Sequence, residues 1–120
     1  MKDWQQVTQK VAAQMRNLRA DAPEVMQAFA RLASAALAAN ALDAKAKELI
    51  ALGIAVAARC DDCIAFHVKA ALARGASKAE VAETLGMAIY MGAGPSAMYA
   101  SHALGAFNQF AEAKARRANT

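Results

Sequence analysis

The sequence predicts an all-α protein, and three observations carry the prediction. Helix start and stop signals recur along its 120 residues. No alternating run of β-branched residues is framed by turn chemistry. Alanine, the strongest helix former, dominates a composition that is 58% hydrophobic. About six helices follow. The first is expected over Trp4 to Leu18, with Val7, Val11, Met15 and Leu18 at three- and four-residue steps. Asp21 can cap a second, with Pro23 in its first turn, reaching about Ala39. Asp43 can cap a third, ending near Ala58. Its Leu49, Ile50, Leu52, Ile54 and Val56 point all round the wheel, which predicts a central, buried helix. A fourth opens at Cys60-Asp61-Asp62-Cys63 and stops at Gly75, after Arg74. Ser77-Lys78-Ala79-Glu80 is a capping box for a fifth, ending near Met91. Pro95 starts a sixth, which continues into the basic tail.

The length suits one domain over 1–120, with no linker or repeat. Alanine packs closely but buries little area per residue, and aromatics are only 6%. Oligomerisation is therefore expected to complete the core. The net charge of +4 has its most visible local source in Lys114, Arg116 and Arg117. Cations there complement a helix C-terminus. No basic stripe interleaved with aromatics exists, which argues against nucleic acid. Thr84 to Ala111 carries no formal charge with His102 neutral, yet Gly92-Ala93-Gly94-Pro95-Ser96 breaks its middle, and His102, Asn108 and Gln109 add polarity. Two short buried helices fit this run better than a membrane span. Met1-Lys2-Asp3-Trp4 leads straight into a polar amphipathic stretch without the form of a secretory leader, so a cytoplasmic location is expected.

In that compartment a Cys-x-x-Cys points to catalysis or metal binding more than to a structural staple. At a helix start the two sulfurs lie about one turn apart, within disulfide reach, and the free N–H groups and dipole favour thiolate. His67, four residues after Cys63, shares its helix face and can take or hold a proton near neutral pH. Glu48, folded against this site, could hold the imidazole or shuttle a proton; its plain alternative is a solvated first-turn acid near Lys45 or Lys47. These parts suit peroxide reduction or dithiol–disulfide exchange. Asp61 and Asp62 favour the helix start but oppose thiolate next door, an effect Arg59 partly offsets. They should also disfavour anionic substrates.

Other uses of the same residues remain open. Cys60, Cys63, His67 and His102 could hold zinc, the cysteines could be inert small hydrophobes, and His102 could simply be packed or hydrogen-bonded. Tyr90, Tyr99, Met87, Met91 and Met98 read as core or the rim of a pocket.

Glu48 followed by Cys60-x-x-Cys63-x-x-x-His67 resembles the signature of the alkylhydroperoxidase D (AhpD)-like branch of the carboxymuconolactone decarboxylase family. The apolar run from Glu48 to Val56 and the stretch Ala70 to Glu83 agree, so the likeness covers about Asp43 to Met98. It implies an all-helical family fold assembled as trimers or hexamers, and peroxidase chemistry on hydroperoxides with no bound cofactor. Cys63 would be the peroxidatic thiol and Cys60 the resolving one, with His67 and Glu48 relaying protons. The helix dipole alone would favour Cys60; the Cys63–His67 pairing and the resemblance favour Cys63. The implied reductant is a dithiol such as protein-bound dihydrolipoamide. The best-known member type has a histidine inside the Cys-x-x-Cys, where this chain has Asp61-Asp62. The decarboxylase branch usually lacks the cysteine pair, which argues against lactone decarboxylation. A non-catalytic redox sensor or partner-binding protein is the alternative from another class.

Overall fold

The computed structural model describes residues 2–119, and the secondary structure among them is helical throughout. The helices are α1 (Trp4–Asp21), α2 (Pro23–Leu37), α3 (Ala44–Ala57), α4 (Asp61–Ala73) and α5 (Lys78–Ala118). The expected fifth and sixth helices are the two arms of α5, which breaks at Ala93 (φ 55°, ψ −139°). The break lies where the sequence places Gly92-Ala93-Gly94-Pro95. A side chain at Gly92 would run into the Ser96 side chain. Gly92→Ala is accordingly expected to lower stability by about 1–3 kcal/mol, although alanine is the better helix former; thermal unfolding checks it.

Local chemistry sets most boundaries. Asp3 caps α1 and Asp43 caps α3, each carboxylate accepting from the backbone three residues on. Ser77 and Glu80 form the reciprocal capping box of α5. Gly75, at φ 88°, closes α4: its own N–H bonds Leu72 O and the Ala76 N–H bonds Ala71 O. Asp21 does not cap α2. It is the last residue of α1, and Ala22 stands at the N-cap with no side-chain bond. The Ala22 N–H still bonds Leu18 O, and Pro23 at the first helical position has no N–H needing a partner. At its other end α2 is capped from afar, Lys47 Nζ donating to Ala36 O (2.9 Å) and Ala38 O (2.6 Å). The second lysine near Glu48, Lys45, instead pairs with Glu80 on α5 (2.8 Å).

Helices α3, α4 and α5 pack on one another around the fully buried Leu52, Val56, Ile64, Val68 and Val81. Alanines such as Ala65, Ala71, Ala103 and Ala106 allow close approach, while Trp4, Phe107 and Phe110 supply bulk. Helix α3 is not the all-round buried helix its sequence predicts: Leu52, Ala55 and Val56 pack inward, whereas Ile50 and Ile54 on the other face are exposed. Helix α1 lies along α4, and α2 touches mainly α1. Met26 is the buried residue of α2, whereas Val25, Phe29 and Leu32 form an exposed apolar stripe. Among the described residues no helix is long and apolar enough to cross a membrane.

Candidate functional site

The turn from α3 to α4 delivers the cysteines. Arg59 adopts a left-handed conformation (φ 58°), so its N–H bonds Val56 O and the Cys60 N–H bonds Ala55 O, closing α3 as Gly75 closes α4. A non-glycine residue pays for that conformation. Arg59→Gly is expected to raise stability by about 1 kcal/mol, read as a higher unfolding midpoint. Cys60 then stands at the N-cap of α4, its Sγ accepting from the Cys63 N–H (3.1 Å). The two cysteines are disulfide-bonded with Cα atoms 5.2 Å apart. Their surroundings differ: Cys60 is half-buried and Cys63 exposed.

One turn along α4, His67 Nδ1 lies 2.8 Å from Glu48 Oε2 on α3. The Glu48 side chain is only 9% exposed, so this carboxylate is no solvated first-turn acid. An ionised carboxylate can only accept, which places the neutral imidazole's proton on Nδ1 and leaves Nε2 with a lone pair. Glu48 and His67 therefore form an oriented base–carboxylate pair on the α4 face that carries Cys63.

Cys63 and His67 open into a groove of about 520 Å³ between α1, α2 and α4. Val11, Ala12 and Met15 of α1, Phe29 of α2 and Phe66 of α4 give it apolar walls; Arg19 and Asp62 add opposite charges. Sequence reasoning missed this wall. The Val11 and Met15 stripe was visible, but nothing in it says which helix α1 lies along. Tyr90, Met87, Met91 and Met98 are largely exposed instead of core, and none lines the cysteine groove. Met87 and Met91 border a separate apolar groove of about 410 Å³ with Leu49, Ile50 and Ile54. Tyr99 packs its ring 5.0 Å from that of His102.

The two acids of the motif part company. Asp62 lines the groove. Asp61 is held by Lys2 Nζ (2.8 Å to Oδ2) and His102 Nδ1 (2.9 Å to Oδ1). Partial burial works to raise its carboxyl pKa, but the hydrogen bonds and charges of Lys2 and His102 outweigh it and hold the group below the usual value. Among the described residues Arg59 forms no ion pair with either acid, so compensation for Asp61 comes from Lys2. Zinc would need a different arrangement: the cysteines bond each other, His67 faces Glu48 and His102 faces Asp61. Among the described residues no three candidate ligands converge.

Residues 23–106 match the model of the carboxymuconolactone decarboxylase family. An uncharacterized protein of Cupriavidus necator is 46% identical over 86 residues, 72% of this chain and 76% of that protein. The apo crystal structure of a carboxymuconolactone decarboxylase family protein from Legionella pneumophila is similar with TM-score 0.87 and 47% identity, covering 89% of this chain and 96% of the other. A Thermotoga maritima protein of the same family, for which involvement in an antioxidative response has been suggested, gives TM-score 0.83 at 27% identity, covering 91% and 93%.

Proposed function

Because the chain belongs to the carboxymuconolactone decarboxylase family, we propose that it is a thiol-dependent peroxidase of the AhpD-like branch, reducing hydroperoxides through a Cys60–Cys63 dithiol–disulfide cycle. The observation that carries the reading is the exposed Cys63 of a disulfide-bonded pair sharing an apolar-walled groove with His67, whose Nδ1 bonds the buried Glu48 carboxylate. The Cys63 thiolate attacks the peroxide O–O bond. The proton that left the Cys63 thiol is held on His67 Nε2; the sulfur is oxidised to sulfenic acid, and the leaving alkoxide takes that proton and departs as the alcohol. The Cys60 thiol loses its proton and attacks the sulfenic sulfur, expelling hydroxide that leaves as water. An external dithiol, dihydrolipoamide by family analogy, reduces the disulfide and is itself oxidised. Lactone decarboxylation would leave the thiol pair without a role. The antioxidative link suggested for the Thermotoga relative supports the same direction. Assembly into trimers or hexamers would cover the α2 stripe, and a cytoplasmic location would keep a dithiol reductant at hand.

Intact mass tests the cycle. The reduced chain should lose two hydrogens with one equivalent of hydroperoxide and regain them with reduced lipoamide. No change would remove redox catalysis from consideration. Oxidation without dithiol recovery and turnover would make the protein a sensor.

A further inference from the structure

Asp61, the residue after Cys60, is fixed more firmly than a helix-start acid requires. The segment leading into α1 is fastened to the second arm of α5: Gln109 Nε2 donates to Lys2 O (2.8 Å), and the Trp4 N–H donates to Gln109 Oε1 (2.8 Å). Trp4 is 3% exposed and anchors the segment in the core. The Lys2 ammonium lies 5.3 Å from the centre of the Trp4 ring and reaches Asp61 Oδ2. His102, from the same arm of α5, holds Oδ1 with its ring flanked by Trp4 and Tyr99. Both carboxylate oxygens are thus occupied by donors that the fold itself orients. The arrangement parallels the pair on the other sulfur: Glu48–His67 accompanies Cys63, and Asp61–His102 accompanies Cys60, with one cation added.

We propose that Lys2, Asp61 and His102 form a charge-compensated triad of positioning residues that balances the carboxylate beside Cys60 and so sets how readily this thiol loses its proton. An uncompensated Asp61 would oppose thiolate at Cys60, whereas the Lys2–Asp61 pair is close to neutral. The remaining charged groups around the turn are Arg59 and Asp62, with His67 and Glu48 on the Cys63 side. In the cycle the inference concerns resolution. Cys60 S–H gives up its proton, the S–S bond forms, the S–O bond of the Cys63 sulfenic acid breaks, and the oxygen leaves as water. This role rests on the peroxidase reading; the tuning of the thiol does not.

The test removes that dependence by using no peroxide. In a Cys63→Ser chain, thiolate absorbance of Cys60 is followed against pH, alone and with Lys2→Met or Asp61→Asn added. Lys2→Met should raise the titration midpoint and Asp61→Asn should lower it. Each change should alter the thiolate fraction below the midpoint roughly threefold to tenfold. His102→Phe keeps a ring against Trp4 and Tyr99 but withdraws a donor from Asp61, and should raise the midpoint less than Lys2→Met. A merely structural triad would move the Lys2 and Asp61 variants in the same direction, by loosening the same turn. That result, or no shift in either, would overturn the proposal. Opposite shifts alongside a failed mass cycle would retire the peroxidase and leave the triad standing.

Discussion

Cys63→Ser is expected to consume no hydroperoxide, and Cys60→Ser to consume one equivalent per chain and stop. Cys63 is exposed and shares the groove with His67, whereas Cys60 does not line it, so a peroxide in the groove meets Cys63 first. A hydroxyl in its place is not ionised near neutral pH and cannot attack the O–O bond. In Cys60→Ser the attack proceeds, but the sulfenic acid has no neighbouring thiol and accumulates, trappable by a diketone reagent. Peroxide loss followed in a single turnover checks both. A Cys60→Ser chain that fails the first attack would exchange the roles of the two thiols.

What was legible in the sequence was legible because its cause is local. Asp43, the Ser77–Glu80 box and Gly75 act within a few residues of themselves, and each ends or starts a helix where expected. The spacing of Cys60, Cys63 and His67 fixes their common helix by the same logic. Glu48 became a partner of His67 only because α3 packs on α4, which no local rule dictates. Asp21 shows the converse: a good capping residue was overruled because α1 ran on to include it. Arg59 hid its turn, since the left-handed closing position usually announces itself with glycine. Lys2 and Asp61 meet across 59 positions, beyond any motif.

Glu48→Gln and His67→Ala should each slow the first oxidation step by roughly 10²–10⁴, the usual scale of general acid–base help. Glutamine keeps the shape and can still accept from Nδ1–H, but it cannot stabilise an imidazolium. The double variant should be little slower than either single one, because the two side chains act as a unit. Their stabilities should differ. Losing His67 leaves a buried carboxylate without its partner, costing about 1–3 kcal/mol, whereas glutamine at position 48 leaves no charge to strand. Single-turnover rates beside thermal unfolding separate the effects. Unfolding without a rate defect in the folded fraction of Glu48→Gln would return Glu48 to a structural role.

In the proposed assembly, the exposed apolar stripe of Val25, Phe29 and Leu32 makes protein concentration a thermodynamic variable. Copies that cover it on one another bind only folded chains, so association draws the folding equilibrium toward the native state by mass action. The unfolding midpoint should then climb with the logarithm of concentration. Dilution should loosen α2, one wall of the groove at Cys63, before it reaches the Leu52–Ile64–Val81 core. Phe29 belongs to both surfaces. Activity per chain would therefore fall on dilution through a side chain that takes no part in the chemistry.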